Sequence, residues 1–380
     1  MTGEMKMTAP ETSVGADEGR SPITYSGDSI TYNEAKIKDF EEIKRAYNRT
    51  MEPSYLPFVS MTDLFDNVYQ GKPPVLEGLL CRGTYLFVGA PKIGKSFLMA
   101  QIAYHVSTGT PLWGFPVRKG KVLYLALEDD YGRLQERLFR MFGAGENDNL
   151  LFSTTAKQLG KGLDEQLNGF LWKNRDTALI IIDTLQAIRE VGGDSYCYAS
   201  DYQIIARLKS FADSYGICMI VVHHTRKQKA DDAFDMISGT NGLLGAADGA
   251  FLLQKESRTS NAATLEVSGR DQQDQKLFLR RNEETLCWEL DHVETKLWET
   301  PKDPLLDEIA KKILPENPEW SGSPTDLCGF LGVDMKANAL TQKLNVNAGR
   351  LFQEYGIRYW NKRSHAGRLV GFRLEKRDDA

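Results

Sequence analysis

Cysteine is scarce in this 380-residue chain: five residues, at 81, 197, 218, 287 and 328. They are dispersed, and no pair has metal-binding spacing, which leaves them packing roles. An odd, scattered set suits a reducing cytoplasm, the compartment expected here. Long apolar runs are missing too. None approaches the ~20 residues that a membrane span needs, and Met1 to Ile30 lacks the apolar centre of a secretory signal. No membrane partner is expected. The chain also lacks a large charge excess, its net charge being −5. That argues against indiscriminate coating of nucleic acid while leaving room for a local basic face. What is present, 41% hydrophobic and 26% charged residues, describes a globular protein of one large domain with additions, or of two domains.

One stretch organises the rest. Gly89, Ala90, Pro91, Lys92, Ile93, Gly94, Lys95 and Ser96 follow the apolar run Tyr85 to Val88 and open into Phe97 to Tyr104, which has helical spacing. Gly-x-x-x-x-Gly-Lys-Ser between a strand and a helix is the phosphate-binding loop. Its glycines let backbone N–H groups and the helix N-terminus face a phosphate. Lys95 is expected to reach the terminal phosphates and the Ser96 hydroxyl to ligate Mg2+. The loop through Phe97 is therefore a binding site for a nucleoside triphosphate, ATP.

Upstream, residues 1–32 offer little to bury and read as a disordered tail. Residues 33–72 read as a helical arm, with Ser60 capping a short helix through Tyr69 and Asp63 at the capping-box distance. From 73 to 298 strand and helix alternate, the pattern of a mostly parallel sheet covered on both faces. Lys121–Leu127 ends in Glu128, Asp129 and Asp130; Ala178–Ile182 ends in Asp183; Ile217–Val222 ends in His223 and His224. In an open α/β sheet that edge is where ligands sit. Short strands at 250–253, 264–268, 276–279 and 286–290 read as antiparallel additions on the sheet edge. Residues 299–304 form a linker. Residues 305–380 read as a small domain of four helices, at 305–314, 325–331, 337–344 and 348–355, and a basic hairpin, a winged-helix pattern, with Ser323-Pro324 opening the second helix and Asn347 capping the fourth. From Arg350 to Arg377 eight Lys/Arg face two Glu. Arg350, Lys362, Arg363 and Arg368 are its candidate nucleic-acid contacts.

Asp183 is the expected second holder of Mg2+, opposite Ser96. A carboxylate ending the 121–127 strand can activate water; Glu128 is favoured, with Asp129 and Asp130 as competitors or helix caps. One histidine of the 223–224 pair can report the γ-phosphate to the following loop. In that loop Arg226, Lys227 and Lys229 are candidate DNA contacts. Arg270, after the 264–268 strand, can reach a neighbouring copy's γ-phosphate, with Arg280 and Arg281 as rivals.

Five segments in order, 78–96, 123–129, 180–185, 221–227 and 238–248, together resemble the RecA-like hexameric ATPases. Within them the chain is similar to the RepA-type replicative helicases common on plasmids and other mobile elements. The resemblance implies a RecA-like core and assigns Glu128 as the catalytic carboxylate, His224 as the γ-phosphate sensor and Arg270 as the finger reaching the next subunit. Related ring helicases often carry a lysine two residues before that arginine; here the position is Ser268. The expected activity is ATP- and Mg2+-dependent movement on single-stranded DNA by a ring, expected to be a hexamer. Duplex DNA is a further partner through the C-terminal domain, and replication proteins are others. Two rivals are a nucleotide-switched DNA-binding regulator and a small-molecule kinase. The kinase needs a cluster of arginines over the phosphates, which the core sequence does not display.

Overall fold

The computed structural model describes residues 53–56, 58–69, 73–189, 198–225, 234, 237, 241–255, 257, 259–270, 272–294, 302–364 and 367–375. The expected tail and most of the expected arm lie outside them. The chain divides into two compact units, Met1–Leu64 and Phe65–Ala380. In the first, Ser60 and Asp63 form the expected reciprocal cap: Asp63 N–H donates to Ser60 Oγ at 3.0 Å, and Ser60 N–H to Asp63 Oδ2 at 3.2 Å. The helix they open, α1 (Met61–Asp66), stops three residues short of Tyr69.

In the larger unit a nine-stranded sheet runs in the order β3-β2-β4-β5-β1-β6-β7-β8-β9. Its strands are β1 (Gly83–Gly89), β2 (Lys121–Ala126), β3 (Leu150–Ser153), β4 (Thr177–Asp183), β5 (Cys218–His224), β6 (Gly249–Gln254), β7 (Ala262–Gly269), β8 (Gln272–Arg281) and β9 (Trp288–Val293). Pairing is parallel from β3 through β1 to β6 and antiparallel from β6 to β9. The α/β class and the antiparallel additions agree with the sequence. β6 does not: expected as an antiparallel addition, it runs parallel to β1, placing Leu253 beside Gly89. Periodicity alone cannot give strand direction.

Both faces of the parallel strands are covered. Leu179 and Ile181 enter one apolar cluster, Ile180 and Ile182 the other, as period-two alternation requires. Helices α2 (Lys95–Thr108) and α3 (Tyr131–Phe142) bury Leu98, Met99, Ile102 and Leu134 on the first face. Helices α4 (Leu163–Lys173), α5 (Leu185–Ile188), α6 (Tyr198–Tyr215) and α7 (Asn241–Ala246) bury Leu167, Ile188, Ile205, Leu208 and Leu243 on the second. The antiparallel strands alternate cleanly, Leu265, Val267, Leu277 and Leu279 extending the first cluster.

Trp288 fastens that extension to the phosphate loop. It is fully buried. Its N–H donates to Gln101 Oε1 at 2.7 Å, and its carbonyl accepts from Gln101 Nε2 at 2.9 Å and Trp113 Nε1 at 2.6 Å. Its own Nε1 donates to Gly94 O at 3.3 Å. Trp288→Ala is expected to cost about 3–5 kcal/mol. That should lower the thermal unfolding midpoint by on the order of 10 °C, read by calorimetry.

The C-terminal module has its own apolar cluster. Its elements are α8 (Pro304–Lys312), β10 (Glu319–Gly322), α9 (Pro324–Leu331), α10 (Ala337–Tyr355), β11 (Ile357–Ser364) and β12 (Gly367–Leu374), with sheet order β10-β12-β11. Ser323 caps α9 with Pro324 in the first turn, as expected. Two helices expected at 337–344 and 348–355 are one. Asn347 does not cap a new helix; its Nδ2 donates to Lys343 O at 2.8 Å within a continuous one. The expected linker ends inside α8, where Asp303 is the N-cap and Pro304 stands in the first turn.

Candidate functional site

The loop closes onto α2 at Gly94, whose φ of +104° favours glycine. A Cβ there would also lie 3.0 Å from the Trp288 ring. Among the described residues no side chain caps α2, and its first turn has no acidic residue. By contrast Asp130 caps α3 by accepting from Arg133 N–H at 2.9 Å. The first-turn amides of α2 are thus left for an anion, as the phosphate-loop reading requires.

Lys95 is buried. Its Nζ donates to Gly89 O at 2.9 Å and Ala90 O at 3.0 Å, and lies 3.1 Å from His224 Nδ1. An ammonium only donates, so Nδ1 of a neutral His224 accepts. Burial and the Lys95 charge both hold the His224 pKa below its ordinary value. Burial pushes the Lys95 ammonium down to about 8. The sheet explains the meeting: His224 stands opposite Gly89 in the β1–β5 register.

Asp183 ends β4 and is buried. Burial raises its pKa, against the hydrogen bonds of Ser96 and Tyr124, which favour its carboxylate. The Tyr124 hydroxyl donates to Oδ2 at 2.9 Å. The Ser96 hydroxyl and the Asp183 carboxylate thus meet as two oxygen donors, the chemistry a hard divalent cation takes. Among the described residues no group of three His, Cys, Asp or Glu could hold a metal. The pair could supply two of the oxygen ligands of such a cation.

The three carboxylates after β2 separate by partner. Asp129 is bound by Arg137 at 2.6 Å, and Asp130 is the α3 cap. Exposed Glu128 accepts instead from Thr184 Oγ1 at 2.9 Å. Sequence reasoning passed over Thr184; the available signal was a hydroxyl residue directly after the strand-end aspartate. Glu128, Asp183, His224 and the loop thus end or follow β2, β4, β5 and β1, four adjacent strands.

Arg270 is not among them. The β6–β7 register pairs Gly269 with Gly249, which pairs with Tyr85. Arg270 therefore lies near the amino end of β1, about 16 Å along the strands from Gly89. It is exposed, and its Nη2 donates to Gly245 O at 2.7 Å. Its rivals Arg280 and Arg281 end β8 at the opposite edge, the loop's own. Arg281 stacks 4.2 Å from the centroid of Phe97, with Arg137 at 5.0 Å. Burial lowers the Arg281 pKa, and the charges of Arg140 and Arg137 lower it further. An arginine cluster unseen in the sequence thus gathers beside Phe97, because α3 and β8 bring residues about 140 positions apart together.

Arg226, Lys227 and Lys229 lie outside the described residues. In the C-terminal module Arg350 pairs with Glu354 and Arg368 with Asp66 at 2.8 Å. Lys362 and Arg363 are exposed. No helix among the described residues is long and apolar enough to cross a membrane.

Strand order, loop and strand-end residues define an α/β phosphate-loop core, mostly parallel with antiparallel edge strands. Residues 50–230 match the AAA domain family, just under half of the chain. That match spans the loop, Glu128, Asp183 and His224. Among solved structures the chain is similar to a separately solved ATPase domain, at 17% identity over 68% of this chain and 97% of that one, with a TM-score of 0.48. It is also similar to a "DnaB-Like Replicative Helicase" described with its primase interactions, at 16% identity, 69% and 75% coverage and a TM-score of 0.48. No curated protein sequence matches.

Proposed function

We propose that this protein is an ATPase whose sites are completed between copies arranged in a ring of six, and that it moves on or unwinds single-stranded DNA. The observation that carries the reading is the split between the two sheet edges. Lys95, Ser96, Glu128, Asp183 and His224 gather at one, while Arg270 stands at the other, which in this reading leaves it to meet another copy's phosphates rather than its own. The five ordered motifs support the helicase-like part and the mobile-element setting. The element order of the C-terminal module suits a winged helix.

In this reading Glu128, oriented by Thr184, takes a proton from the water attacking the γ-phosphorus as the bond to the leaving oxygen breaks. Lys95 exchanges its two carbonyls and His224 for phosphate oxygens. Ser96 and Asp183 would hold Mg2+, which would supply neutralisation of phosphate charge there. His224, released from Lys95, is free to bond the γ-phosphate and pass its loss to the segment after it in sequence, which carries Arg226, Lys227 and Lys229.

Arg270→Ala is expected to lower turnover by about 10³-fold or more while leaving nucleotide binding intact. Mixing it with Lys95→Ala, also inactive alone, should recover activity, because an intact loop then meets an intact arginine at some junctions. Failure to recover, together with a single-copy mass in solution with ATP and single-stranded DNA, removes the shared-site reading. A second reading, phosphotransfer to a small acceptor, is favoured by the arginines around Phe97. Phosphate released in step with ADP, without any acceptor, excludes it.

A further inference from the structure

Residues 65–68 precede the core in sequence yet belong to the C-terminal module in space. Asn345 on α10 donates from Nδ2 to Phe65 O at 2.7 Å. Asn361 on β11 donates to Asp66 O at 3.3 Å and to Asn345 Oδ1 at 3.1 Å. Val68 packs against the module's apolar cluster. The Asp66 carboxylate takes Arg368 of β12 at 2.8 Å, with only 26% and 16% of the two side chains exposed. A short stretch of backbone carrying one anion is therefore held by α10 and both strands of the hairpin.

The hairpin register says why an anion belongs there. Arg363 stands directly opposite Arg368, two positions along from the Asn361–Val370 pair. Residues facing each other across antiparallel strands share a face, and like charges so placed repel. Val370 and Phe372 of that face are buried in the module, as is Tyr359, so the arginine pair continues the face that turns toward α10. One arginine is neutralised by Asp66. Arg363 meets no carboxylate among the described residues, whereas Lys362 pairs with Leu369 on the opposite face. The spot stays positive after Asp66 has bound.

We propose that the α10–hairpin site is a nucleic-acid phosphate site which the chain fills with its own Asp66, so that DNA reaches Arg363 and Arg368 only by displacing residues 65–68. This rests on the reading of the protein as a DNA-binding ATPase and adds its regulation. A phosphate carries the same charge-assisted acceptor oxygens as Asp66, and a strand offers several in a row. Competition is therefore set by charge, and ionic strength weakens the DNA contacts as counterions return.

The test uses the full chain and a labelled oligodeoxythymidine of about 30 nucleotides, alongside a duplex of equal length, by anisotropy between about 50 and 200 mM salt. Asp66→Asn is expected to bind several-fold more tightly at low salt and to steepen the log–log salt slope by about one. Asp66→Glu should keep wild-type affinity, and Arg368→Ala in the Asp66→Asn background should erase the gain. Wild-type protein supplies an independent measurement: saturating DNA should speed hydrogen exchange at the backbone amides of residues 65–68. Unchanged affinity and slope in Asp66→Asn, or unchanged exchange in the wild type, overturns the proposal with DNA binding intact. If wild type and variants all bind no DNA at low salt while ATP turnover persists, the DNA reading falls with it.

Discussion

Lys95→Ala is expected to abolish measurable ATP turnover, a fall of about 10²–10³-fold or more. The ammonium is spent on Gly89 O, Ala90 O and His224. None of these is a strong anionic partner, and burial already disfavours its charge. A triphosphate repays that cost by placing oxyanions against it. Removing the side chain deletes the cation that meets charge developing on the transferred phosphoryl group. It also frees His224 from its contact with the ammonium. The variant should fold normally, since Lys95 forms no ion pair among the described residues and α2 is anchored by Leu98, Met99 and Ile102. An unchanged melting curve beside retained turnover would end the proposed mechanism.

Glu128→Gln should separate binding from chemistry. Its carboxylate is exposed at the end of β2 and accepts from Thr184. The amide keeps the size and an acceptor oxygen but cannot take the water's proton. Turnover should fall by about 10²–10⁴-fold, with nucleotide affinity retained and ATP trapped unhydrolysed. Thr184→Val, which removes the donor and keeps the shape, should cost less, on the order of tenfold, by loosening the base. If Asp129 were the base instead, Asp129→Asn would be the severe variant. Its commitment to Arg137 argues otherwise.

Much of the nucleotide site was legible because its chemistry is local. Gly89 to Ser96 is contiguous, and Asp183 and His224 each follow an apolar run that can only be a buried strand. What escaped the sequence was long-range. The direction of β6 depends on its neighbour rather than on its own residues. Thr184 gained its role only when β2 and β4 came side by side, and Arg281 met Phe97 only through the antiparallel extension. In the C-terminal module the pattern gave a basic hairpin but not which charges are spent. Arg368 is balanced by Asp66, some 300 positions earlier, and no spacing rule reaches that far.

The grip of the C-terminal module on residues 65–68 turns the intervening chain into a closed circuit, fastened where it begins and where it ends. The phosphate-loop core is then tied at the segment before it and at the module after it. A fragment beginning after Tyr69 would lose Val68 from the module's apolar cluster and leave Arg368 uncompensated, so cutting the chain at the boundary that composition suggests would loosen the far end as well as the near one.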